Sequence, residues 1–182
     1  MSKTTDCILK ALNVVSWIIF VGVCIEAGGF ISNAVVTLML NPVGADKFWT
    51  EVNLSGLYNY NQSHYFTLIS LMIIVAVMRA LMFYLIVKIF YDKKLNLAQP
   101  FNETIRRFIS NIAYLALGIG LFSFWGAKFA AGLVAQGVKL PELQYLRLGG
   151  ADVWLFMGVV LLVIAQIFKK GIEIQNENDL TV

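Results

Sequence analysis

Long apolar stretches alternate with short polar segments along this chain, and the pattern predicts four helices, at roughly 11–40, 65–87, 106–133 and 151–168. Crossing a bilayer takes about 20 predominantly apolar residues. The fourth stretch is the shortest, and its apolar core of 153–168 still spans about 24 Å at 1.5 Å per residue. Alanine and aspartate at 151 and 152 bring it near the thickness of the hydrocarbon core. Within lipid every backbone polar group must be satisfied inside the protein, so such segments are helices or strands of a closed barrel. A barrel needs period-two alternation, which is missing here. The fold class predicted is therefore all-α, with four transmembrane helices in an up-down bundle. One domain covers 1–182, ending in a short acidic tail at 171–182.

The first stretch is longer than a bilayer requires. It has room to tilt, to project, or to bend at Gly28 and Gly29. Its beginning, with Lys3 and Lys10 ahead of an apolar core, resembles a signal peptide. Signal cores end after about 7 to 15 residues. This one runs on, and Val23 stands where a lipoprotein cleavage box before Cys24 needs a small residue, so a retained helix is predicted. Cys7 and Cys24 are expected to be free thiols, since 17 residues of helix hold them about 25 Å apart.

Composition agrees with a membrane location. Of 182 residues, 59% are hydrophobic and 14% charged, too few charges to clothe a water-facing globule. The net charge of +3 is small and no basic stripe is present, so nucleic acid is not an expected partner. Basic residues set the orientation. Nine flanking cations (Lys3, Lys10, Lys88, Lys93, Lys94, Arg106, Arg107, Lys169, Lys170) fall on one side and three (Lys47, Lys139, Arg147) on the other. Both termini are therefore expected in the cytoplasm.

Several loop residues carry local signals. Trp49, Tyr58, Tyr60 and Tyr65 cluster around the first outer loop, as amphipathic rings do at a headgroup interface. On the inner side, Pro100 discourages helix before it, Asn102 suits a helix cap, and Glu103 suits the positive helix end. Small residues suggest tight packing, with Gly22, Glu26 and Gly29 on one face of the first span and Ser123, Ala127 and Ala131 on the third.

Charges inside the spans are the leading functional candidates. Glu26 and Arg79 interrupt otherwise uncharged stretches, Lys128 lies in the third span, and Asp152 opens the fourth. An ionised group at mid-membrane costs at least about 2.5 to 3.5 kcal/mol on insertion scales, so it faces a partner or a wet cavity. Counted in depth, Glu26 falls between Arg79 and Lys128. Arg79 is its first-choice partner and Lys128 the second; all three are close enough in depth for one network, and Asp152 is placed to take Lys128 instead.

Catalytic material is sparse. His64 is the lone histidine, beside tyrosines at a helix mouth. No cysteine or histidine cluster has metal-ligand spacing, and no phosphate loop or hydrolase motif occurs. The chain reads as non-enzymatic, with no cofactor and no metal called for.

The C-terminal sequence after the last span, 171–177 and 179–182, together with Pro100-Phe101 and the four spans, resembles the bacterial membrane family known as domain of unknown function 2975. The resemblance implies a bacterial inner-membrane protein. Family members are often encoded beside a small helix-turn-helix regulator, which implies a regulatory or interaction role, and the family brings no established catalytic residues. The tail residues Gly171, Glu177 and Asp179 share a membrane face with Pro100, Phe101, Arg106 and Arg107, so tail and inner loop are expected to touch. Expected partners are the lipid bilayer and another membrane protein or a second copy of the chain. The competing reading is a small transporter or channel-like conduit using the intramembrane charges.

Overall fold

A computed structural model describes residues 3–39, 45–48, 52–92 and 101–179. It is built of helices: α1 (Lys3–Met39), the short α2 (Ser55–Tyr60), α3 (Gln62–Tyr91), α4 (Glu103–Ala135) and α5 (Ala151–Asp179). Four of them, all but α2, are long and apolar enough to cross a membrane. Each overruns its predicted span. The 37 residues of α1 extend about 55 Å, nearly twice a hydrocarbon core. Gly28 and Gly29 do not end it. The last helix continues through the predicted tail as far as Asp179. Its ending is polar but contains no proline, and the single Gly171 after the lysines 169 and 170 costs a helix only about 1 kcal/mol, too little to stop it.

Asparagines start two of the helices. The Asn61 side chain accepts from the His64 amide (3.2 Å) at the start of α3. Asn102 accepts from Ile105 (2.9 Å) at the start of α4, with Glu103 in the first turn. Each satisfies an amide that has no partner within its own helix.

Packing is serial. Helix α1 lies on α3, α3 on α4, and α4 on α5, and α1 meets neither α4 nor α5 among the described residues. Glycines let the last two helices approach. A Cβ at Gly120 would sit 2.7 Å from Leu155, and one at Gly158 would sit 2.6 Å from Leu117. Gly118 similarly admits Met78 of α3. The close-packed face of α4 thus runs through Gly120, Ser123, Gly126 and Ala130. Of the small-residue face expected from sequence, Ala127 is half-buried and Ala131 exposed, a rotation toward the side where glycine permits closest approach. On α1, Gly22 has nothing near it.

The core is concentrated toward one end, where α1 and α4 finish and α3 begins. Phe30, Phe48, Leu54, Leu57, Tyr65, Leu68 and Leu146 are all fully buried there. A run of hydrogen bonds ties this end together. The Tyr65 hydroxyl donates to Thr37 (3.2 Å), Thr37 to the Asn33 side chain (3.2 Å), and Asn33 to the Lys47 carbonyl (3.0 Å). Tyr65 is therefore a core residue rather than an interfacial ring, while Tyr60 is exposed and donates to Gln136 (3.1 Å). Trp49 lies outside the described residues. Both cysteines are free and exposed.

Candidate functional site: an arginine-anchored segment

Helix α5 begins well below the far end of α4. Gly126 meets Leu148, just before α5 starts, yet α4 continues nine residues further to Ala135, about 13 Å. The connecting segment, 136–150, must therefore fold back along the bundle. Leu146 and Leu148 are fully buried, so this irregular backbone is covered by protein. Irregular backbone at membrane depth requires such cover.

Two helix-ending turns shape the segment. At the end of α4, the Val138 amide donates to the Leu133 carbonyl and Gly137 to Val134, with Gly137 at φ +87. This is the six-to-one and five-to-two pairing of a Schellman ending, with glycine in its usual left-handed position. The same pairing recurs ten residues on: Leu148 donates to Leu143, and Arg147 to Gln144. Here the left-handed residue is Arg147, at φ 58, the one described non-glycine residue with positive φ. A left-handed backbone costs an L-residue about 1 to 2 kcal/mol. Glycine is the usual occupant of such a position, as Gly137 is in the first turn. Something holds arginine there.

Three contacts do so. The Arg147 Nε donates to Glu26 Oε1 of α1 in a close ion pair. The Arg147 carbonyl accepts from Arg79 Nη2 of α3 (2.9 Å). The flanking leucines anchor the backbone on either side. One residue thus ties the 136–150 segment to two helices, and supplies the described link between the α4–α5 pair and α1.

Arg79 lies under this residue with its guanidinium 5.7 Å from the centre of the Trp154 ring, a cation–π distance. The charged groups that act on it are Glu26 and Arg147. Its Nε is buried without a hydrogen-bond partner, as is the hydroxyl of Ser123 on α4. The three charges sum to +1, with one carboxylate, bonded to Arg147, for two guanidinium groups. Glu26 keeps 17% of its side-chain surface and Arg147 keeps 49%.

The residues singled out from sequence separate into two groups. Glu26 and Arg79 come to one level, because α1 and α3 align Phe20 with Tyr84 and Thr37 with Tyr65. Their connection runs through Arg147, whose side chain takes the carboxylate and whose carbonyl takes the Arg79 donor. Lys128 is exposed, with Nζ 5.0 Å from the Phe124 ring centre, and Asp152 is exposed in the first turn of α5. Neither joins the cluster through a described ion pair. Sequence reading placed Arg147 only among the orienting cations. The available signal was Leu146-Arg147-Leu148, a lone cation between apolar residues on the side poor in cations.

At the opposite end, the tail and inner segment meet at apolar surface around Gly171. Gly171 backs onto the Phe101 ring, where a Cβ would be 2.5 Å from it, and Phe101 packs on Phe168 with ring centres 5.3 Å apart. Arg106 and Arg107 instead pair with Glu103, at 2.5 Å and 2.9 Å. Three and four residues along a helix is a shorter reach than across to another element, which explains the local pairing. Ile172 is half-buried and Ile174 exposed. Pro100 and the Asp179 side chain lie outside the described set.

The described residues contain no group of three or more histidine, cysteine, aspartate or glutamate side chains able to hold a metal. A family model described as "Protein of unknown function (DUF2975)" matches residues 40–182. The match takes in α3, α4 and α5 with Arg79 and Arg147, while Glu26 lies ahead of it. No curated protein and no solved structure matches the chain.

Proposed function

Because this chain belongs to the DUF2975 family, whose function is unknown, we propose a role from its own geometry: a non-enzymatic regulatory or interaction component of the bacterial inner membrane. Both termini lie in the cytoplasm in this reading, supported by nine of twelve flanking cations on their side. The segment 136–150 then faces outward and is the element that changes state.

The observation that carries the proposal is Arg147. A left-handed residue whose ties to the neighbouring helices are one ion pair and one hydrogen bond is a releasable fastener, because losing either weakens what keeps the backbone there. Helix α1 is the natural mover, since among the described helices it packs only on α3. An outer event that breaks Arg147 from Glu26 removes the tie between the segment and α1, and the helix carries the resulting change to its cytoplasmic end. Partner recovery tests this. Crosslinking in native membranes should capture a distinct membrane-protein partner with the native chain, and Glu26→Gln should change its yield several-fold. Equal recovery with both forms contradicts the proposal.

The conduit reading draws on a different observation, the buried Arg79 Nε without a hydrogen-bond partner beside one carboxylate and a second guanidinium. An anion passing between helices would use it. Reconstituted vesicles loaded with chloride decide it: flux that falls with Arg79→Gln favours a conduit, and no flux above empty vesicles removes it.

A further inference from the structure

Between α3 and α4, at the end where α3 finishes and α4 begins, two clefts open sideways from the bundle. One, of about 290 Å³, is walled by Lys88, Asp92, Thr104, Arg107 and Asn111 with apolar neighbours. The other, of about 410 Å³, continues toward the membrane interior past Leu81, Tyr84, Tyr114 and Leu115. They share Leu85 and Asn111, so they form one groove with a polar head and an apolar stem.

The head has cationic donors to offer. Lys88 Nζ lies 5.8 Å from the Tyr84 ring and forms no ion pair among the described residues. Arg107 gives its Nε to Glu103, leaving both terminal nitrogens without a described partner on a side chain 72% exposed. Thr104 and Asn111 add neutral donors on the α4 wall, one turn before and after Arg107. Among the described residues that line it, Lys88 and Arg107 stand against Asp92, so the head carries a net +1.

The geometry points to a binding site for an anionic glycerophospholipid, its phosphate on Lys88 and Arg107 and an acyl chain along the stem. A phosphate accepts readily from lysine and from a guanidinium fork. Basic pockets between membrane helices suit acidic lipid headgroups, and each cation near the surface contributes about a fivefold gain in affinity. The stem selects a lipid over a free anion. It is apolar, continuous with the head, and open laterally where acyl chains lie, and Tyr84 and Tyr114 stand exposed along it.

Native mass spectrometry of the full chain in detergent, titrated with phosphatidylglycerol, tests the site. Lys88→Gln with Arg107→Gln should weaken binding at least about tenfold. Thr104→Glu, an exposed first-turn position where acid suits the helix, should weaken it similarly by repelling the phosphate without removing any native charge. Lys169→Gln with Lys170→Gln removes the same charge from the same end outside the groove, and should change binding less than about threefold. Size-exclusion profiles and circular dichroism establish that each variant is folded. Equal weakening by the 169/170 pair, equal affinity for phosphatidylcholine, or displacement of the lipid by millimolar inorganic phosphate would each overturn the assignment.

Discussion

Replacing Glu26 and Arg147 singly and together measures the fastener directly. Glu26→Gln keeps size and removes the charge, leaving Arg79 and Arg147 facing each other without a carboxylate. Arg147→Gln keeps the backbone carbonyl that Arg79 uses, so the variant removes the ion pair alone. A hydrogen bond to a charged group contributes about 1.5 to 3 kcal/mol, and an exposed ion pair about 0 to 1. With 17% of the Glu26 and 49% of the Arg147 side chain exposed, the pair lies between those cases. The coupling energy expected is about 1 to 2 kcal/mol, a factor of roughly 5 to 30 in the unfolding equilibrium. Unfolding in mixed micelles of increasing SDS content, followed by circular dichroism, gives the four stabilities of the cycle. The double variant should cost less than the two singles summed. A parallel cycle with Arg79→Gln should show weaker coupling to Glu26, because the Arg79 donor goes to a carbonyl that no side-chain substitution removes. Effects that add to within about 0.3 kcal/mol, or a larger Glu26–Arg79 coupling, would refute the bridging role of Arg147.

Other consequences follow from the packing. Gly120→Val and Gly158→Val, which force a side chain onto Leu155 and Leu117, should each destabilise by about 1 to 3 kcal/mol or more in the same unfolding assay, whereas Gly132→Ala, with open space around it, should be neutral or stabilising by about 0.5 to 1 kcal/mol. Phe101→Ala should loosen the end of α5, seen as faster amide exchange around Gly171 and little change at Gly120. A cysteine at Asn53, in a background lacking Cys7 and Cys24, should react with an impermeant maleimide in intact cells; labelling only after lysis would reverse the orientation.

Much of this fold was legible in the chain because the bilayer imposes a strong constraint: four apolar runs have few alternatives to four helices. The Asn102 start was readable for the same reason, since helix caps are local chemistry. The site was half legible. Glu26 and Arg79 stand out as charges in apolar surroundings, though counting residues set them apart in depth and the overlong α1 brings them level. Their bridge was hidden because it depends on 136–150 folding back beside Gly126, a long-range event that hydropathy does not encode. The tail is a mixed case. Gly171 and Phe101, two of the residues expected to meet, do so, while Arg106 and Arg107 pair with Glu103 one turn away because that is the shorter reach.

The claim that Arg147 holds the outer segment to α1 is tested most directly by a distance. Spin labels at the exposed positions Ile31 on α1 and Gln144 on the segment, in the cysteine-free background and in lipid nanodiscs, report it through double electron–electron resonance. The native sequence should give one narrow distance distribution, and Glu26→Gln a broader one with a longer component. Identical distributions from the two proteins would contradict the account.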